Sequence, residues 1–188
     1  DFAAGIELSE RSYEVTAESS RAGHGTGAER RAFIRNNEAD VFLALGDLSV
    51  AAQALGEAFH VVQHPPPSRW MTWRYGTHCH AGLAQLALLR GDAAAARRHA
   101  EQSLEMATAA GSQKYESWGW RLKGESATAR RAWPEAEDAL RRSLAIAQAI
   151  EHPRQMWLSH LALGRLHEAC RRKDAARAAY GAVWDIVK

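Results

Sequence analysis

Ser143-Leu144-Ala145-Ile146-Ala147 stands forty residues after Ser103-Leu104-Glu105-Met106-Ala107, and the correspondence extends in both directions. At the same offset Ala84, Gly124 and Gly164 fall into one column, Ala96, Ala136 and Ala176 into a second, and Leu104, Leu144 and Trp184 into a third. A period held over two steps without a gap is the mark of a repeat array. Upstream the frame continues across two insertions. Ala51 precedes Ala96 by 45 residues, with the excess at Pro65-Pro66-Pro67, where a helix cannot continue. Tyr13 precedes Phe59 by 46, with the excess in Gly23-His24-Gly25-Thr26-Gly27. The chain is therefore expected to form one helical-repeat domain over 1–188, with units at 28–64, 69–110, 114–151 and 154–188 after a lone second helix at 3–20.

Each unit reads as two helices. Trp120, Gly124, Ala127 and Thr128 recur at helical spacing, and so do Ala136, Leu140, Ser143, Leu144 and Ala147 after a short break. Pro134 suits the first turn of the second helix, where its missing N–H costs nothing. Gly46-Asp47 and Gly91-Asp92 supply a left-handed residue to end one helix and a carboxylate to cap the next. Arg131-Ala132 and Arg171-Arg172 stand in the same place, and those turns are expected to be less sharply defined. The small columns mark close helix crossings, with Gly124 expected to face Ala136 and Gly164 to face Ala176.

Composition agrees with this pattern. The 188 residues include 38 alanines but only 7 valines and 5 isoleucines, which argues against a β-sandwich or a parallel-sheet enzyme. With 46% hydrophobic and 24% charged residues the chain is neither disordered in character nor rich enough in apolar runs to span a membrane. The expected fold is thus all-α, a solenoid of antiparallel helix pairs. Net charge is +2, distributed unevenly: residues 1–94 carry −3 and residues 95–188 carry +5. The excess sits in Arg130-Arg131, Arg141-Arg142 and Arg171-Arg172-Lys173, read as solvated helix ends. Two cysteines make no disulfide framework, and a reducing cytoplasm is expected. Because the chain opens at Asp1 rather than at methionine, a fragment of a longer array is expected.

The columns resemble the tetratricopeptide repeat, whose W-x₂-L-G-x₂-Y, A-x₃-F pattern defines a helix-turn-helix unit. The last unit carries it as His160, Leu163-Gly164, His167, Ala176, Tyr180 and Val183, and the third as Trp120, Lys123-Gly124, Ala127, Ala136, Leu140 and Ser143. The second has His80, Leu83-Ala84, Ala87, Ala96, Ala100 and Ser103; the first has Arg35, Glu38-Ala39, Phe42, Ala51, Leu55 and Ala58. HEAT and armadillo repeats share the longer period, but the paired small residues favour the tetratricopeptide pattern, and that resemblance implies a right-handed superhelix. Over about residues 70–188, Lys114-Tyr115, Leu122, Gly124-Glu125, His152-Pro153, Trp157, His160 and Leu163-Gly164 look like the C-terminal repeat regions of large bacterial regulatory ATPases, the adenylate-cyclase-like and LuxR-type signalling proteins. That resemblance implies a non-catalytic sensing or interaction arm.

Signals for catalysis are weak. There is no phosphate-loop motif, and the Gly-rich run at 23–27 lacks its lysine. His167-Glu168 begins a zincin-like string that Arg171 breaks, and His60 with His64 lacks a third ligand. His78, Cys79 and His80 diverge on a helix. No enzyme activity, cofactor or metal is expected.

What remains is surface. The resemblance implies binding along a concave face built from the first helix of each unit, here Phe33, Asn36 and Asp40, then His78, Ala81 and Gln85, then Trp118, Arg121 and Glu125, then Leu158, Leu161 and Arg165. A protein or peptide partner is expected there; the Lys/Asn clamp of the chaperone-tail receptors is missing. Trp70, Trp73 and Tyr75 form the densest aromatic stretch, readable as a binding surface or as packing against the preceding helices. Self-association through exposed array ends is a further expectation. Two rivals stand beside the scaffold reading: a small-molecule sensor with a pocket near Trp118, Arg121 and His78, and, ranked third, a nucleic-acid binder using the basic second half.

Overall fold

A computed structural model gives the structure of residues 27–66 and 71–188. The helix expected at 3–20 lies outside the described residues, as does Trp70. Those described form eight helices and no strand: α1 (Gly27–Leu45), α2 (Leu48–Gln63), α3 (Thr72–Leu89), α4 (Ala93–Ala109), α5 (Gln113–Ala129), α6 (Trp133–Ala149), α7 (Pro153–Ala169) and α8 (Lys173–Val187). The protein is all-α. No helix among the described residues is long and apolar enough to cross a membrane. The chain divides into two compact units, one ending at Leu86 and the other running Ala87–Lys188, so the boundary falls inside α3.

In the first unit α1 packs on α2. Ala32, Ala39 and Leu43 of α1, Ala51, Leu55 and Ala58 of α2, and Tyr75, Cys79 and Leu86 of α3 share one buried cluster. Alanine at the contact positions lets the helix axes approach, and Phe33, Phe42 and Phe59 fill the flanks half-buried.

The second unit shows a finer rhythm than the forty-residue period. Its helices begin at Ala93, Gln113, Trp133, Pro153 and Lys173, one every twenty residues, so each repeat is two near-equal helices with two equivalent turns. The left-handed residue recurs in step at Gly91, Gly111, Arg131, Glu151 and Arg171. After each of them the next amide donates to the carbonyl five residues back: Asp92 to Ala87 (2.9 Å), Ala132 to Ala127 (2.9 Å) and Arg172 to His167 (2.8 Å). This is the Schellman closure. The turns at Arg131 and Arg171, expected to be looser, are therefore as well defined as the glycine turns. The backbone hydrogen bonds impose the conformation, and the arginine backbones take φ of 60° and 59° to meet it. Asp47 and Asp92 cap as expected, accepting from the amides of Val50 (3.1 Å) and Ala95 (2.9 Å).

Consecutive helices pack from α4 through α8, and α5 also meets α7, so the first helices of adjacent repeats stack side by side. Ala127, Ala136, Leu140, Ala162, Leu163, Leu166 and Ala179 form the core of the last two pairs. The glycine column faces the second helix partly at the expected place, where Gly124 meets Ala136, and more tightly one turn beyond it. A methyl on Gly124 would come within 2.6 Å of Leu140 Cγ and only 3.2 Å from the Ala136 carbonyl, and one on Gly164 would run into the Tyr180 ring rather than Ala176. Each glycine seats the large residue four positions beyond the alanine column, because a helix side chain leans toward its own N-terminus and covers the preceding turn. Three hydroxyls join α5, α6 and α7. Ser117 Oγ donates to the Ser143 carbonyl (3.0 Å), Ser143 Oγ donates to the Ser117 carbonyl (2.7 Å), and Ser143 Oγ lies 2.7 Å from Ser159 Oγ. All three serines are fully buried.

Candidate functional site

In the first unit, most of the face assigned to partner binding meets α3. Asn36 is fully buried, and its Nδ2 donates to the Tyr75 carbonyl at 2.9 Å. One turn further along the same face, four residues on, Asp40 Oδ2 lies 3.1 Å from His78 Nε2. Phe33 is half-buried, its ring edge-on to Tyr75 at 6.3 Å, with the Arg74 guanidinium 5.1 Å above it. Tyr75 is itself fully buried and its hydroxyl donates to Thr72 Oγ1 at 3.2 Å, so it is core. Trp73, two residues before it, is 38% exposed, as alternation around a helix requires. Gln85 is half-buried.

The neighbouring histidines and cysteine diverge. His78 reaches Asp40, His80 packs edge-on against Phe59 (5.5 Å), and Cys79 points into the core with Sγ 3.8 Å from the Leu55 carbonyl. Burial pushes the Cys79 thiol up to about 12, so it stays protonated and inert as a nucleophile. The His60 and His64 rings lie 4.6 Å apart, tilted by 35°, at the end of α2, with His64 Nδ1 3.1 Å from the His60 carbonyl. Among the described residues no group of three or more His, Cys, Asp or Glu side chains is arranged to hold a metal.

In the second unit the stacking of α5 on α7 joins their faces into a strip. Trp118 is buried and stacked on Tyr115, ring centroids 6.0 Å apart. Arg121 is 5% exposed; its Nη1 donates to Glu125 Oε1 at 2.8 Å, while its buried Nε finds no acceptor among the described residues. Leu158 and Leu161 on α7 are half-buried, and Arg165 is exposed. The strip thus carries one clamped guanidinium, one free one and two leucines.

Much of the basic excess in the second half is neutralised locally. Arg130 pairs with Glu135 (3.1 Å), Arg141 and Arg172 both reach Glu137 (2.7 and 2.9 Å), and Arg142 pairs with Asp138 (2.9 Å) while lying 4.9 Å over the Trp120 ring. The hydrogen bonds from Arg141 and Arg172 hold the Glu137 carboxyl below its ordinary range. Arg171, Lys173 and Arg177 form no ion pair among the described residues. They line a cleft beside Tyr180, whose hydroxyl donates to Glu168 Oε2 at 2.7 Å and is pushed up to about 12, first by burial and then by that carboxylate. The sequence reading placed Arg171 and Lys173 with the solvated helix ends and did not single out Arg177. Only their register against Trp133 and Glu137, forty residues earlier, could have singled them out.

No family model matches the chain, and no curated protein is similar enough to count as a relative. Among solved structures, the crystal structure of BtubC (BKLC) from P. vanneervenii is similar, with a TM-score of 0.68 and 19% identity over 96% of this chain and 71% of that one. At that identity the likeness concerns the fold alone.

Proposed function

We propose that the chain is a non-catalytic interaction module of the tetratricopeptide type, a scaffold or sensory arm of a larger bacterial signalling protein that takes a partner segment along the faces of its first helices. The observation that carries this reading is the side-by-side packing of α5 and α7, which makes one strip of Arg121, Glu125, Leu158, Leu161 and Arg165. Glu125 fixes the Arg121 guanidinium in position, and Arg165 on α7 is exposed to a partner's carbonyl or carboxylate. The leucines add apolar contact beside it, the usual pairing of anchor and orienting charge in peptide recognition. A cytoplasmic setting belongs to the same reading, supported by Cys79 and Cys170 standing unbridged.

Peptides selected from a random display library against the whole chain test this. Their affinity is expected to fall about tenfold or more in Arg121→Ala and Leu158→Glu, and to stay within about twofold in Arg98→Glu on α4. Selected peptides that bind both face variants as tightly as the parent would remove the strip from consideration.

A further inference from the structure

Two histidines at the end of α2 lie outside the faces assigned to partner binding. The run His60-Val61-Val62-Gln63-His64 puts two imidazoles one helical turn apart on the same side of the helix, and both residues are exposed. His64 closes the helix: its backbone N–H donates to the His60 carbonyl at 3.0 Å, and its ring Nδ1 lies 3.1 Å from the same oxygen. A carbonyl oxygen only accepts, so Nδ1 carries the proton and, in the neutral ring, the Nε2 lone pair is left for a ligand. Histidines that bind metals are oriented in this way, one ring nitrogen donating to a carbonyl and the other holding the ion. The His60 ring forms no hydrogen bond or ion pair among the described residues, so its lone pair is open as well.

The ring centroids stand 4.6 Å apart. With a metal–nitrogen bond of about 2.0 Å, each ring centre lies about 3.2 Å from the ion, and rings on adjacent corners of a square have centres about 4.5 Å apart. Opposite corners would need about 6.3 Å. The two imidazoles are therefore spaced for adjacent corners, and rotation about the metal–nitrogen bonds accommodates their 35° tilt. Two nitrogens with the remaining corners open to water suit Cu(II) and Ni(II), which take square sets of nitrogen and oxygen ligands. Zinc sites draw on three or four protein ligands, and no such group of His, Cys, Asp or Glu is gathered among the described residues. The position favours a cation too: α2 has no lysine or arginine, and the carbonyls of its last turn form the negative end of the helix dipole.

We propose that His60 and His64 form a two-imidazole chelate for a square-coordinated divalent ion, Cu(II) or Ni(II), at the C-terminal end of α2, with water completing the coordination. Ni(II) is the ion that suits a reducing setting, where copper leaves the divalent state, and Cu(II) is the stronger probe. Both ligands are in place only while the last turn is helical, so the ion binds the folded chain and steadies α2 where it meets Pro65.

Isothermal titration calorimetry of the full chain, free of any affinity tag, with CuCl2, NiCl2 and ZnCl2 tests this. Cu(II) is expected to bind about tenfold or more tightly than Zn(II), and its electron paramagnetic resonance spectrum should show coupling to two imidazole nitrogens. His60→Gln and His64→Gln, both at exposed positions, should each weaken Cu(II) about tenfold or more, with an unchanged helical circular dichroism spectrum. The double variant should be little weaker than either, because a single imidazole has already lost the chelate. Ni(II) should raise the melting temperature of the parent and leave that of the variants unchanged. Single variants that stay within about twofold of the parent would make the histidines independent surface groups and overturn the proposal. So would Cu(II) affinity retained by the double variant, which would put the ion elsewhere, or Zn(II) bound as tightly as Cu(II), which would demand further protein ligands.

Discussion

Arg131, Glu151 and Arg171 hold a backbone conformation that glycine holds at Gly91 and Gly111. For an L-residue the left-handed region brings Cβ against the following carbonyl, a cost of about 1–2 kcal/mol, part of which returns because the unfolded chain is stiffer than with glycine. Arg131→Gly and Glu151→Gly are each expected to stabilise by about 0.5–1 kcal/mol, read from the midpoint of urea unfolding. Unchanged midpoints would mean the turns are not strained. The opposite sign is expected at Gly164. A methyl there meets an aromatic ring wedged between two helices, so Gly164→Ala should destabilise by about 1–3 kcal/mol. Gly56→Ala, in the middle of α2 with nothing within 4 Å of the added carbon, should stabilise by about 0.5–1 kcal/mol. If both glycines respond alike, packing is not what holds Gly164.

Between elements, the serine chain is the clearest polar link. Ser143 gives its proton to the Ser117 carbonyl, so the hydroxyl of Ser159 must donate to Ser143 Oγ. Ser143→Ala removes an acceptor and a donor at once in a fully buried place and is expected to cost about 1–3 kcal/mol. Ser143→Ala with the melting temperature of the parent would show the chain to be incidental. The hydroxyl chain was only partly visible beforehand: Ser143 stood in a register column, but nothing in the pattern marked Ser117 or Ser159. Helix positions were legible, since Pro134, Asp47 and Asp92 announce starts by local chemistry alone. The turn at Arg131 was not, because nothing in an arginine announces left-handed backbone; the closure between Ala132 and Ala127 imposes it.

At the scale of the molecule, acid should loosen the second unit. His99, His160 and His167 are all held below the ordinary value of 6.5, in each case first by burial, with Arg98 adding to His99 and Arg172 to His167. A lowered folded pKa means that the unfolded chain takes up protons first as pH falls. The stability they contribute is present above about pH 6.5 and is lost as pH falls through and below it. Glu137, held down by Arg141 and Arg172, adds a further loss below the ordinary carboxylate range. Melting temperature is therefore expected to drop between about pH 7.5 and pH 5.5, and His167→Gln should flatten that slope. A slope unchanged by this substitution would remove His167 from the account.

The sequence alone determined that the chain is helical, that it repeats every forty residues and where many helices start, because these follow from periodicity, proline and capping residues that act within a few positions. Tertiary structure decided the rest. Asn36 and Tyr75 carry the polar and aromatic character of a surface yet are buried, since α3 lies over that side of α1. Lys173 and Arg177 resemble any solvated helix end, yet they border a cleft with Glu168 of α7 and Tyr180, since only the packing of α8 on α7 brings those side chains together. Local sequence fixes how the backbone hydrogen-bonds to itself. Whether a side chain meets solvent or a neighbour depends on residues forty positions away, and that is decided only when the helices pack.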